Sequence, residues 1–403
     1  MSNGDIAWVL VSSALVLIML PGLAFFYSGL VRGKNALATL MHSFIALAIV
    51  GLVWVLWGYS LAFGPSVGGI IGSLEWFGLQ GVSATEAGPY ADNIPHQAFM
   101  IFQAMFAIIT PALIAGAFAE RIRFRTFVAF LILWSTLVYA PVAHWIWGGG
   151  WLGEWGATDF AGGAVVHLTS GVAALAAALM FGKRLGLGKD PMEPHNVSHV
   201  VLGASLLWFG WFGFNAGSAL AADGTAVNAF VVTHISASVA AVTWLSIDWA
   251  LKGKPSVVGA ATGAIAGLAT ITPAAGFVGP MPAILVGLLA GACCYFTILL
   301  IKNKIKLDDS LDVFAVHGVG GMIGLICVAA LGGIGFTSLA DIAGDLSRGE
   351  FLVRQLGAIA VVAIWTFSMT IGILLVLKVS IGLRVTDKNE GIGLDLSEHG
   401  EKA

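Results

Sequence analysis

Two histidines share one local signature. Asp159 is followed seven and eight residues on by Val166-His167, and Asp309 by Val316-His317, the same register at an offset of 150 residues. Both lie inside long apolar runs, where an ionisable side chain is costly unless hydrogen-bonded and usually faces a partner or a pathway. For either residue alone a packing role competes with a functional one. A neutral imidazole donates through one ring nitrogen and accepts through the other. Two of them at equivalent places in duplicated halves can bond to each other and leave an outer nitrogen facing each way. Burial disfavours the imidazolium, so such a pair is expected to stay largely uncharged.

Three aromatic groups form a second set. Phe102-Gln103-Ala-Met-Phe106 opens one apolar run, His144-Trp-Ile-Trp147 ends another before Gly148-Gly149-Gly150, and Trp211-Phe-Gly-Phe214-Asn-Ala-Gly-Ser218 ends a third. All three fall toward the same face. Other candidates carry less. His195 and His199 have helical metal spacing but straddle a loop-to-helix border after Pro194 with no Glu between them. His234 has no repeat partner and reads as a hydrogen-bonded core residue; Asp248 reads as interfacial or a cap. The glycine triplet has no lysine after it and reads as a turn, and no nucleophile elbow, P-loop or zinc-protease motif occurs. Cys293, Cys294 and Cys327 sit in apolar runs and suggest neither a disulfide framework nor a zinc site. No enzyme, cofactor or metal is expected.

The elements that position these residues follow from composition. Of 403 residues, 58% are hydrophobic and 10% charged, against about 25% charged in a soluble domain. That is enough apolar sequence for about eleven helical spans of about 20 residues. The 53 glycines suit helices that must approach closely, since lipid supplies no hydrophobic drive for their association. A net charge of -3 implies no nucleic acid. Spans are expected at about 6–31, 36–64, 97–119, 126–147, 161–181, 197–215, 227–251, 257–274, 281–301, 313–333 and 351–377. Seventeen of the 19 basic residues fall in alternate loops and the tail, leaving Arg348 and Arg354 for the other side. The positive-inside rule then sets the N-terminus outside and the C-terminus in the cytoplasm, with no cleaved signal peptide. Since backbone polar groups in lipid need internal partners and the runs lack strand alternation, the expected class is an all-α polytopic membrane protein. Its fifth span runs inward and its tenth outward, so the repeat is an inverted 5+5 arrangement plus an eleventh helix. The transmembrane domain is expected over 1–378, with halves at about 6–181 and 197–333 and a last helix at about 351–377. Residues 379–403 form a cytoplasmic tail.

These motifs resemble those of the ammonium transporter family, the Amt, Mep and Rhesus group, in its prokaryotic Amt form. The similarity runs from Pro21-Gly-Leu-Ala-Phe-Phe-Tyr-Ser-Gly-Leu-Val-Arg-Gly-Lys-Asn35 through Ala-Glu120-Arg-Ile-Arg, Asp159-Phe-Ala-Gly-Gly, Gly182-Lys-Arg184 and Asp312-Val-Phe-Ala-Val-His-Gly318 to Gly393-Leu-Asp-Leu-Ser-Glu-His-Gly400. The resemblance implies a homotrimer in the cell membrane, with one pore per protomer. It implies that Trp147, Phe106 and Ser218 form an outer ammonium site supported by Asp159, that Phe106 and Phe214 stack as a gate, and that His167 and His317 line the pore. Gln103 and Trp211 are further pore-lining candidates.

Elementary energetics suits that reading. Aromatic faces offer a cation about 0.5–2 kcal/mol, small beside the tens of kcal/mol for burying an isolated ion. Shedding a proton before the apolar pore removes most of that cost, and potassium has no proton to shed. The expected function is ammonium uptake as ammonia through a twin-histidine pore, with electrogenic net transport. The alternatives are a Rhesus-type neutral gas channel, which the Trp147 and Trp211–Ser218 segments disfavour, and an ammonium sensor, for which a fused signalling domain is expected. The tail match, including Arg384, Asp387, Glu390 and Asp395, favours a surface for a PII-type signal protein.

Overall fold

Eleven helices long and apolar enough to cross a membrane organise the chain, which a computed structural model describes over residues 1–402. They are α1 (Asn3–Leu30), α2 (Gly33–Phe63), α3 (His96–Phe118), α4 (Phe124–Glu154), α5 (Gly163–Phe181), α6 (Val197–Ala219), α7 (Gly224–Lys252), α8 (Val257–Ala274), α9 (Pro280–Ile305), α10 (Phe314–Leu331) and α11 (Arg348–Ser380). Polar side chains start several of them. Asp223 accepts from Thr225 and Ala226 N–H at the head of α7, Ser256 from Gly259 N–H at the head of α8, and Ser347 and Glu350 cap α11 reciprocally, which satisfies N–H groups that no helical carbonyl can reach. Pro280 begins α9, where its missing N–H costs nothing.

The segment between α2 and α3 adds two small antiparallel hairpins, Ser66–Val67 with Ile71–Gly72 and Ala87–Gly88 with Ala91–Pro95. They do not change the helical class. On the opposite face two short helices follow α11: α12 (Asp387–Ile392) and α13 (Leu394–His399).

The repeat is visible in local geometry. In α5 and α10 the first turns are π-helical, Gly163–Leu168 and Phe314–Val319, and each carries its histidine. Ahead of each, the repeated aspartate accepts backbone N–H bonds: Asp159 from residues 162–165, Asp309 from Phe314. Gly171 and Gly321, also 150 apart, make the crossing possible. A Cβ on Gly171 would overlap the backbone of Gly318, and one on Gly321 would stand 3.0 Å from Leu168 N and 3.1 Å from His167 Cβ. Each glycine therefore seats the other helix at its histidine.

The basic loops gather on one face around buried carboxylates. Glu120 accepts from Arg32 N–H and Nε at 2.8 and 2.7 Å, and Asp308 pairs with Arg184 at 2.9 Å. Burial pushes the Asp308 carboxyl up, but its bonds to Arg184 outweigh this and hold it below the usual carboxylate range. The two remaining arginines serve the other face, where Arg348 caps the carbonyls of Ala329, Ala330 and Gly332 and Arg354 donates to Trp155.

His234 departs from its expectation. It is exposed on the outer surface of the bundle, with its ring 5.4 Å from Trp208; one apolar neighbourhood in sequence does not say which side of a helix faces the core. Asp248 is fully buried, bonded to Tyr295 Oη at 3.0 Å and Lys252 Nζ at 2.6 Å.

Candidate functional site

Three cavities lie in series between the two faces. The first, ≈ 340 Å³ on the face opposite the basic loops, is lined by Gln103, Phe106, Trp147, Asp159, Ser218 and other aromatic residues. The Trp147 indole N–H donates to the Asp159 carbonyl at 2.8 Å, which orients its ring toward the cavity. The Asp159 carboxylate points the other way in function. Its two oxygens take four backbone N–H groups, from Gly162, Gly163, Ala164 and Val165, at 2.7–3.1 Å, leaving little capacity for a solute. Gln355 of α11 clamps the preceding residue, accepting from Thr158 N–H and donating to its carbonyl.

Ser218 Oγ donates to the Phe214 carbonyl at 2.8 Å. With its proton engaged, the hydroxyl presents lone pairs to the cavity. Gln103 also lines this wall, and its Oε1 is buried with no hydrogen-bond partner among the described residues. Among the described residues, no charged group other than Asp159 lines the cavity. A small cation here would meet aromatic faces and the Ser218 hydroxyl oxygen.

The floor is aromatic. Phe106 stands edge-on to Trp147 at 5.9 Å and packs on Phe214 at 4.4 Å between centroids. Beneath this pair is a narrow lumen of ≈ 10 Å³, room for about one water-sized molecule. Leu23, Ile265, Trp211 and both histidines line it. Trp211 is held by an indole N–H bond to Thr272 Oγ1 at 3.0 Å and stacks on His167 at 5.4 Å. His167 Nδ1 and His317 Nδ1 are 3.2 Å apart. Such a bond needs a proton on one Nδ1 and a lone pair on the other, so both rings cannot be imidazolium. In neutral rings the two Nε2 atoms are then unlike, one an acceptor and the other a donor. His167 Nε2 has no partner among the described residues, and is free for a guest.

The third cavity, ≈ 200 Å³, opens to the basic face and shares Tyr27, Ile265 and His317 with the lumen. Asp312 and Lys302 line it and pair at 2.7 Å. Asp309 lies behind, 2% exposed, with Oδ1 unpartnered among the described residues; burial, then the Asp312 charge, push its carboxyl up to about 7. The nine residues named from sequence group thus: Trp147, Phe106, Ser218, Gln103 and Asp159 meet in the first cavity, while Phe214, Trp211, His167 and His317 meet in the lumen. Thr272, Gln355 and the Lys302–Asp312 pair were not expected. Their parts depend on contacts 10 residues apart for Lys302–Asp312, 61 for Thr272 with Trp211 and 197 for Gln355 with Thr158, with no periodic signal.

Over residues 7–403 the chain matches the Ammonium Transporter Family. It is 48% identical over 408 residues to the ammonium transporter of Bacillus subtilis (strain 168), covering 100% of this chain and 99% of the relative. Ammonium transporter Amt1 of Archaeoglobus fulgidus is 47% identical with full coverage of both. Among solved structures, a Sensor Amt Protein superposes with a TM-score of 0.92 at 32% identity over 98% of each chain. Saccharomyces cerevisiae Mep2 gives 0.87 at 38% identity, over 96% of this chain and 88% of that one. These relatives are named as transporters or sensors rather than enzymes, and this multi-pass membrane chain belongs to the ammonium transporter family.

Proposed function

We propose that the chain moves ammonium from the first cavity to the basic face by passing ammonia alone through the histidine lumen. The series of an aromatic cavity whose one lining carboxylate, Asp159, is engaged by backbone N–H groups, a closed phenylalanine pair and a lumen bounded by two bonded imidazoles supports this reading. Trp147, Phe106 and Ser218 hold the cation, with Asp159 fixing the backbone beneath the indole. The Phe106–Phe214 pair opens transiently, and a proton leaves before the lumen because no group there balances a charge. Ammonia then accepts from one imidazole N–H and donates to the other ring. The proton crosses separately over the histidine pair, so transport is electrogenic.

The basic face is cytoplasmic and the N-terminus outside, as its share of Lys and Arg supports. The protomer works in a homotrimer, for which His234, polar and exposed at membrane depth, supplies a physical reason: a neighbouring protomer would cover it. The docked tail offers its surface to a PII-type partner. Currents on a supported membrane of reconstituted protein test the mechanism: ammonium should evoke a saturable current and potassium none. An electroneutral ammonia flux would instead favour a Rhesus-type channel. Saturable binding without current would favour the sensor reading, which the superposition with the Sensor Amt Protein keeps in play.

A further inference from the structure

A fourth cavity, ≈ 460 Å³, lies on the basic face between the loop after α5 and the end of α9, beside the third cavity, with which it shares Lys302. Four cations, Lys183, Arg184, Lys302 and Lys306, line it against one carboxylate, Asp308. Two cations are committed: Arg184 to Asp308 at 2.9 Å, and Lys302 to Asp312 at 2.7 Å. Lys183 and Lys306 are exposed and form no ion pair among the described residues. The cavity therefore has two spare positive charges and no spare negative one.

Its construction is specific. Lys306 ends α9 at a left-handed φ of 59°, a conformation that costs any residue with a Cβ and persists where the surroundings enforce it. Arg384 of the tail donates to the carbonyls of Phe181 and Lys183, which fixes the opposite wall. Depth narrows the ligand class. Ile301 is buried, and Lys302 is the first charge after the apolar run of α9, so the cavity opens where hydrocarbon gives way to headgroups. Basic cavities between helix ends at that level suit phosphorylated headgroups, and lysines act on phosphate as mobile point charges. The volume exceeds that of a single inorganic ion. We propose that Lys183 and Lys306 bind a phosphate ester here, carried either by an anionic lipid or by a soluble metabolite.

Binding to the full chain in neutral detergent, read by native mass spectrometry, tests this with three probes: dioctanoyl phosphatidylglycerol, dioctanoyl phosphatidylcholine and glycerol 3-phosphate. Saturable binding of phosphatidylglycerol above phosphatidylcholine assigns a lipid; comparable binding of glycerol 3-phosphate assigns a soluble ester. The double variant Lys183→Gln/Lys306→Gln should weaken whichever binds by about 30-fold, or about fivefold for each lysine. Lys304→Gln, on the same turn but outside the cavity, should change nothing. Raising salt should release the ligand from the parent, a readout that does not depend on any variant folding. The proposal falls if neither phosphatidylglycerol nor glycerol 3-phosphate binds, if glycerol 3-phosphate does not bind and the two lipids bind alike, if salt has no effect, or if a folded double variant binds like the parent or like Lys304→Gln.

Discussion

Ser218 illustrates how one hydrogen bond decides what a side chain can offer. Because its proton is engaged by the Phe214 carbonyl, the oxygen can only accept, which suits a cation rich in N–H groups and gives nothing to an anion. Ser218→Ala should raise the ammonium concentration for half-maximal current by about tenfold, the worth of one hydrogen bond to a charged partner, while leaving the maximal current close to the parent's. The histidine pair makes the opposite demand under the proposed mechanism, in which a lumen without a fixed charge has nothing to balance a potassium ion. His167→Asp places a carboxylate and its water beside His317 and Trp211, so a potassium current should appear where the parent has none. Continued exclusion of potassium by a folded variant would reduce the pair to packing. Asp309 has a different readout. Its carboxyl sits near 3.8 when unfolded and about 7 when folded, so between about pH 4 and 7 only the native state holds that proton. The thermal midpoint in detergent should fall as pH rises through this window and level off above it. Asp309→Asn should remove that fall.

At the scale of elements, the crossing of α5 and α10 is set by reciprocal glycines. Alanine at Gly171 would place a methyl into the Gly318 backbone, and neither helix backbone can yield without separating the two imidazoles. Gly171→Ala should cost about 1–3 kcal/mol as overpacking, seen as a lower thermal midpoint together with reduced ammonium current. Gly372→Ala in α11, where nothing lies within 4 Å, should leave both unchanged. The contrast also marks what was legible beforehand. The helix boundaries were, because apolar run length and the alternation of basic loops are local properties: α8 spans 257–274 as expected, and α5 and α10 start and end within two residues of their expected limits. The histidine register was legible because it repeats residue types. Gly171 and Gly321 share that offset yet look like any of 53 glycines, since a residue without a side chain leaves no chemical mark. His234 failed for a related reason: α7 has similar hydropathy on both sides, so its outward face could not be read.

In the whole molecule, α11 and the tail break the symmetry of the halves. The tail could have been a solvated strand of charges, but its carboxylates instead reach three loops of the first half. Asp395 Oδ1 accepts from Ala38 N–H at 2.8 Å at the start of α2, Glu398 from Phe124 N–H at 2.9 Å at the start of α4, and Glu390 from Leu185 N–H at 2.6 Å beyond α5. Two of these are helix N-caps supplied from hundreds of residues away, where a negative charge is favoured by the exposed N–H groups and the helix dipole. Asn35 returns the contact by accepting from Leu394 N–H at 2.9 Å, so the tail and the α1–α2 loop order each other. Sequence spacing cannot announce such a pairing, because donor and acceptor share no periodicity. Removing one cap should loosen the tail without unfolding the bundle, whose helices are buried independently of it. Asp395→Ala is expected to cost about 0.5–2 kcal/mol of docking, which raises the open population about 2- to 30-fold. Lys388 lies in α12, exposed but in helical form, and trypsin can cut there only after the helix lifts. When opening is fast relative to cleavage, the cutting rate follows that open population. Trypsin cleavage at Lys388 should therefore accelerate by the same factor in Asp395→Ala, with the thermal midpoint of the bundle nearly unchanged. Glu154→Ala on the opposite face should leave the rate alone. An Asp395→Ala chain cut no faster than the parent would mean that the remaining contacts of Arg384 and Glu390, with Lys34 Nζ donating to the carbonyls of Glu390 and Gly391 at 3.1 and 2.7 Å, hold the tail by themselves.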